Sequence, residues 1–111
     1  MYINDKVVEH MQDTLKIAAD ATRIKILSCL LNELDSGDYE DIHMLEKCVN
    51  DIASQIGASQ SLVSHQLKVL KDADLVKTRR EGVKIFYSLN DGHVKALLNI
   101  AIEHVEEKKN V

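Results

Sequence analysis

The sequence predicts a mainly α fold with one β-hairpin wing: a winged helix–turn–helix that dimerises through its terminal helices. Three features predict it. The run I-A-S-Q-I-G-A-S-Q-S-L-V-S-H-Q-L-K sets a turn of small residues between two segments of helical periodicity. V-K-T-R-R and K-I-F-Y-S-L then flank Glu81-Gly82, as the strands of a hairpin flank its turn. Apolar residues at helical spacing also fill both ends of the chain.

In chain order, Val7, Val8, Met11, Leu15 and Ile17 give residues 3–18 an apolar helical stripe. Asp20 precedes a second helix, whose Ile24, Leu27, Leu30, Leu31 and Leu34 form a core-facing stripe. D-S-G-D-Y-E-D breaks it as an exposed acidic loop. Helix resumes near Glu46, and Gly57 suits the position after a helix end, where positive φ is common. Ser59 can cap the next helix, which turns Val63, Leu67 and Leu70 inward. Asn90 or Asp91 can cap the last helix, with apolar positions Val94, Leu97, Leu98, Ala101, Ile102 and Val105. The tail E-E-K-K-N-V is solvated and expected to fray.

Composition narrows the function. A chain of 111 residues forms one domain, and its four aromatic residues leave the core to aliphatic side chains. No apolar run approaches the roughly 20 residues that span a bilayer, and no signal-peptide pattern opens the chain, so a cytoplasmic location is expected. Cys29 and Cys48 form no C-x-x-C pair, and Cys29 reads as a small hydrophobe in an apolar helix. An enzyme is not expected: no Gly-rich phosphate loop or nucleophile–base set is present. Ser64 and His65 are helix neighbours that point about 100° apart.

The net charge of −4 hides an asymmetry. Residues 59–90 carry a net +3, while 33–46 hold six acids and no base. A local basic footprint governs DNA binding more than overall charge does. Gln60, Ser61, Ser64 and His65 lie in the first half of the helix after the turn, where such helices meet base edges, with Lys68 on the same polar side. Lys77, Arg79, Arg80 and Lys84 of the hairpin suit phosphate contact. Double-stranded DNA is therefore the expected partner.

Asp91, His93, His104 and Glu107 form a second pattern, D-x-H and H-x-x-E within one helix. Eleven positions at about 100° each bring His93 and His104 to nearly the same face, but roughly 16 Å apart along the axis. A tetrahedral site needs each ligand about 2 Å from the metal. One helix cannot close it from both ends, whereas two antiparallel copies can, giving two symmetric sites per homodimer. Imidazoles with carboxylates suit Zn2+, and also accept Co2+ or Ni2+.

From about Asp20 to Glu107 the chain resembles the ArsR/SmtB family of metal-responsive bacterial repressors. The resemblance rests on A-D-A-T-R-I-K-I-L, C-V-N-D-I-A, S-Q-S-L-V-S-H-Q-L-K-V-L-K, G-V-K-I-F-Y-S-L and D-G-H-V. The final helix resembles that of the zinc-sensing branch, which implies an interfacial site of Asp91 and His93 from one subunit with His104 and Glu107 of the other. It further implies an apo homodimer on operator DNA, released by zinc or a similar divalent ion to derepress metal efflux or sequestration genes. Cys48 and Asp51 match the C-x-x-D of a second site found in some members, where an N-terminal arm adds ligands; here only His10 could serve, with His43 and Glu46 as nearby alternatives. No C-x-C cluster for thiophilic ions is present.

The single domain 1–111 then divides into an N-terminal dimerisation helix (1–18), the helix–turn–helix (46–71), the wing (75–89) and a metal-binding dimerisation helix (91–107). The alternatives are a thiol-based redox or persulfide-sensing repressor using Cys29 and Cys48, and a non-regulatory cytosolic metal-binding protein.

Overall fold

Four of the five described helices begin where a short polar side chain satisfies otherwise orphaned amide groups. The computed structural model describes residues 3–31 and 45–109, so Leu34, His43 and most of the acidic stretch lie outside the described residues. Helix α1 spans Asp5–Ala18, and the Asn4 side chain accepts a hydrogen bond from the Val7 amide at 2.9 Å. Helix α2 spans Ala21–Cys29 and is capped by Asp20, which accepts from the Arg23 amide at 3.1 Å.

Helix α2 is shorter than expected and turned about its axis. Ile26, Leu27 and Leu30 are buried, whereas Ile24 is 47% exposed. Ile24 instead flanks a groove with Cys29, Gln55 and Ile56. In so short a helix, the neighbours rather than the internal spacing decide which apolar side is covered.

Helix α3 is Val49–Ile56 and helix α4 is Gln60–Asp72. Gly57 ends α3 at φ 69°, as its position in sequence predicts. Ser59 caps α4 by accepting from the Leu62 amide at 3.1 Å. Helix α3 starts later than expected because Lys47, just before it, is held in a β-bridge. Lys47 exchanges two backbone hydrogen bonds with Tyr87, at 2.9 and 2.7 Å. No local propensity announces that distant pairing.

Helix α4 ends in a two-bond turn. The Leu75 amide donates to the Leu70 carbonyl at 2.9 Å and the Asp74 amide to Lys71 at 3.0 Å. This puts Asp74 at φ 57°, a left-handed position that favours glycine. Asp74→Gly is therefore expected to stabilise the fold by about 0.5–1 kcal/mol. A calorimetric midpoint that falls would contradict it.

Strands β1 (Val76–Glu81) and β2 (Lys84–Leu89) pair antiparallel, with Glu81 opposite Lys84. The turn is thus Gly82-Val83 rather than Glu81-Gly82. Gly82 takes φ 61° as the first turn residue and Val83 is almost fully exposed. Helix α5 (Gly92–Lys109) follows, extending past the expected boundary at 107.

Ile26, Leu27, Leu30, Ile52, Val63, Leu67, Leu70, Val76 and Leu89 form the fully buried core, so α2, α3, α4 and the base of the hairpin hold one another. Val94 and Leu98 dock α5 onto it. Helix α1 buries none of its residues. Val7, Val8, Met11 and Leu15 stay 42–48% exposed, as do Leu97, Ile100 and Val105 of α5 at 44–60%. Among the described residues, no helix is long and apolar enough to cross a membrane.

Candidate DNA interface and metal centre

Helix α4 has a buried apolar side and an exposed, mainly polar side on which Leu62 is also exposed. Val63, Leu67 and Leu70 are fully buried, while Gln60, Ser61, Ser64, His65 and Lys68 are all exposed. Gln66 sits between the two sides and accepts a 2.7 Å hydrogen bond from Arg23 Nε. Arg23 also reaches the Ile17 carbonyl at 3.2 Å, tying α4 to α2 and to the end of α1. That strut holds the polar face of α4 outward, and nothing in the local sequence marks it.

The wing presents Lys77, Arg80 and Lys84, all exposed. Arg79 differs. Its Nε lies 2.9 and 3.2 Å from the two carboxylate oxygens of Glu46, and its Nη1 lies 3.0 Å from Glu81. These hydrogen bonds, Glu46 first, raise the guanidinium pKa above its already high ordinary value.

The four C-terminal residues occupy the two ends of α5. Asp91 Oδ1 accepts from the amides of His93 and Val94, at 3.0 and 3.1 Å, and so caps the helix. The His93 ring lies beside it, with Nδ1 3.9 Å from Asp91 Oδ1. His104 and Glu107 are exposed near the other end, one turn apart. Among the described residues of the single chain, no three His, Cys, Asp or Glu side chains converge as a metal-holding group.

Asp91 and His93 line a cleft of about 430 Å³ with His10 and Asp13 of α1 and with Asp74 and Leu75 at the end of α4. Sequence reasoning placed His10 with Cys48; the fold places it here. The i, i+3 spacing of His10 and Asp13 was a signal of a shared face, but not of which end of α5 that face would meet. Beside the cleft the Asn90 amide, just before α5, donates to the carbonyl of Leu75, just after α4, at 3.0 Å.

Cys48 and Asp51 do come together, with Sγ 3.1 Å from Oδ2 at the start of α3. Glu46, one alternative partner for them, is engaged by Arg79. The two thiols have separate surroundings. Cys29 is buried, with Sγ 3.0 Å from Gln55 Oε1 and 3.6 Å from Lys47 Nζ.

Residues 45–78, which contain α3, α4 and the start of the wing, match the model for bacterial regulatory proteins of the arsR family. The chain is 34% identical to the transcriptional repressor SmtB homolog of Synechocystis, over 89% of this chain and 66% of that protein. It is 36% identical to the cadmium resistance transcriptional regulatory protein CadC homolog of Staphylococcus aureus, over 86% and 70%. It is 38% identical to the HTH-type transcriptional regulator NmtR of Mycobacterium tuberculosis, over 94% and 77%. The solution structure of apo-NmtR superposes with a TM-score of 0.73, covering 96% of this chain and 80% of that one at 36% identity. With its exposed α4 face and hairpin wing, the chain belongs to the ArsR/SmtB family and is a winged helix–turn–helix transcriptional regulator, not an enzyme.

Proposed function

We propose that the chain acts as a homodimeric repressor that leaves its operator on binding zinc or a similar divalent ion, and so derepresses genes for efflux or sequestration of that ion. The observation that carries this reading is the division of the four C-terminal ligands. Asp91 and His93 sit together beside the end of α4, and His104 and Glu107 lie at the far end of the same helix. Two antiparallel α5 helices would bring Asp91 and His93 of one subunit to His104 and Glu107 of the other.

The donor set fits such an ion. Two imidazoles and two carboxylates, three of these four residues well exposed, suit Zn2+, Co2+ or Ni2+ and not a thiophilic ion. The bound ion would supply a charged cross-link between the two α5 helices. The CadC homolog's name ties that relative to cadmium resistance, which is consistent with metal response in this chain.

The chain's own residues would relay the cross-link. Asn90, just before α5, donates its amide to the carbonyl of Leu75, just after α4, and this bond would pass a displacement of α5 toward α4. Two α4 helices must meet successive major grooves about 34–36 Å apart. Drawing Asp91 and His93 toward the partner's α5 would shift α4 from that spacing. The coupling is reciprocal, so operator DNA would equally weaken metal binding.

Gln60, Ser61, Ser64, His65 and Lys68 would face the groove, with Arg80 and Lys84 on phosphates. Ser64→Ala or His65→Ala is expected to cost about 1–3 kcal/mol of operator affinity with metal release retained. Unchanged affinity in both would remove this face from DNA.

Asp91 serves as both helix cap and proposed ligand, and substitution separates the roles. Asp91→Ser keeps a good cap and removes the carboxylate. Thermal stability should stay near wild type while metal affinity falls. Equal metal affinity would leave Asp91 a cap alone.

The overall reading is tested by fluorescence anisotropy on an operator duplex titrated with zinc at fixed salt. It predicts release, and it fails if zinc leaves operator affinity unchanged in a dimer that demonstrably binds the ion.

A further inference from the structure

We propose that Arg79 is a positioning residue that locks the wing to the segment leading into α3, and that it is not itself a phosphate contact. Three neighbours occupy its guanidinium. Nε faces both oxygens of Glu46, Nη1 faces Glu81, and the guanidinium carbon lies 4.9 Å from the centre of the Phe86 ring. Two carboxylates around one cation offset its charge and occupy its donors, which leaves it poorly placed to receive a phosphate.

The next residues along both segments show what the clasp does. Lys47 follows Glu46, Tyr87 follows Phe86, and these two exchange paired backbone hydrogen bonds. The Arg79 clasp therefore closes beside that bridge. Cys48, the residue after Lys47, is already the N-cap of α3. Backbone bridge and side-chain clasp together make the wing and the first helix of the helix–turn–helix one body. A lone exposed ion pair contributes little, but a planar fork shared by two carboxylates and stacked on a ring is a network that fixes direction.

The wing's other cations differ in this respect. Among described contacts Lys77, Arg80 and Lys84 are not drawn into this clasp, and Arg80 projects from the opposite face of β1, since strand side chains alternate. The clasp would set the angle at which those cations reach the backbone of DNA. This inference rests on the DNA-binding role of α4 and the wing, and is independent of any metal.

The test is operator affinity as a function of salt for wild type, Arg79→Lys, Arg79→Gln, Glu46→Gln and Arg80→Gln. A phosphate contact contributes about 0.9 to the slope of log K against log salt. Arg80→Gln should flatten the slope by roughly that amount. Both Arg79 variants should bind roughly three- to tenfold more weakly with the wild-type slope. Lysine fails here because it keeps the charge and loses the fork. Glu46→Gln should also weaken binding, although it deletes a negative charge near DNA. The proposal is overturned if Arg79→Gln flattens the slope while Arg79→Lys binds normally, which marks a phosphate ligand. It is equally overturned if Arg79→Gln leaves affinity unchanged, or if Glu46→Gln tightens binding. All the altered side chains except Glu46 are well exposed, and circular dichroism of each variant checks that the fold is kept.

Discussion

His104→Ala is expected to bind operator like wild type and to lose release by zinc. The side chain is exposed on α5 and distant in sequence from the α4 face and the wing, so removing it takes nothing from the core or the DNA surface. Coupling between two sites in one protein typically changes affinity about 5–150-fold. A loss of operator affinity in that range on adding zinc is expected for wild type, and less than about twofold for the variant. The readout is anisotropy of a labelled operator duplex, with zinc content measured in parallel. Normal zinc-driven release by His104→Ala would remove the α5 pair from the sensing role.

Leu15→Glu is expected to have a second large effect, on assembly. Helix α1 buries none of its residues, and Leu15 shares an apolar groove with Val7, Met11 and Leu97 of α5. Surface of this kind on two terminal helices is what a second copy would cover. A carboxylate in that groove would have to be desolvated on dimerisation. The chain should elute as a monomer and stay folded, since the core lies in α2, α3, α4 and the wing. A monomer contacts one half-site, so operator affinity should fall about 10²-fold or more. A dimer by sedimentation at micromolar concentration would show that this groove is not the interface.

Much of the fold was legible because its signals are local. Ser59, Asp20 and Asp91 cap helices as short acceptors do, and Gly57 takes the positive φ that its place after α3 requires. The alternation within α4 separated Val63, Leu67 and Leu70 from the exposed Ser61, Ser64 and His65. What stayed hidden depends on residues far apart in the chain. Lys47 is held out of the helix because it exchanges two backbone hydrogen bonds with Tyr87, forty positions on. Arg79 reads as one more basic wing residue until Glu46 is seen across from it. His10 gains meaning only when α1 is seen to cross the Asp91 end of α5. Ile24 shows the same limit within the core, since the position of α3 and α4 decides which side of α2 is covered.

Sharing of ligands between subunits is the claim most worth testing, and mixed dimers test it directly. One chain carries Asp91→Ala with His93→Ala, and the other carries His104→Ala with Glu107→Ala. Each variant homodimer should bind no zinc at the α5 site. The heterodimer, purified on two different tags, should regain one site, built from Asp91 and His93 of one chain and His104 and Glu107 of the other. Zinc binding by the heterodimer at about half the wild-type stoichiometry is the predicted result. A heterodimer as inert as both parents would place each set of ligands within its own subunit and contradict the shared site.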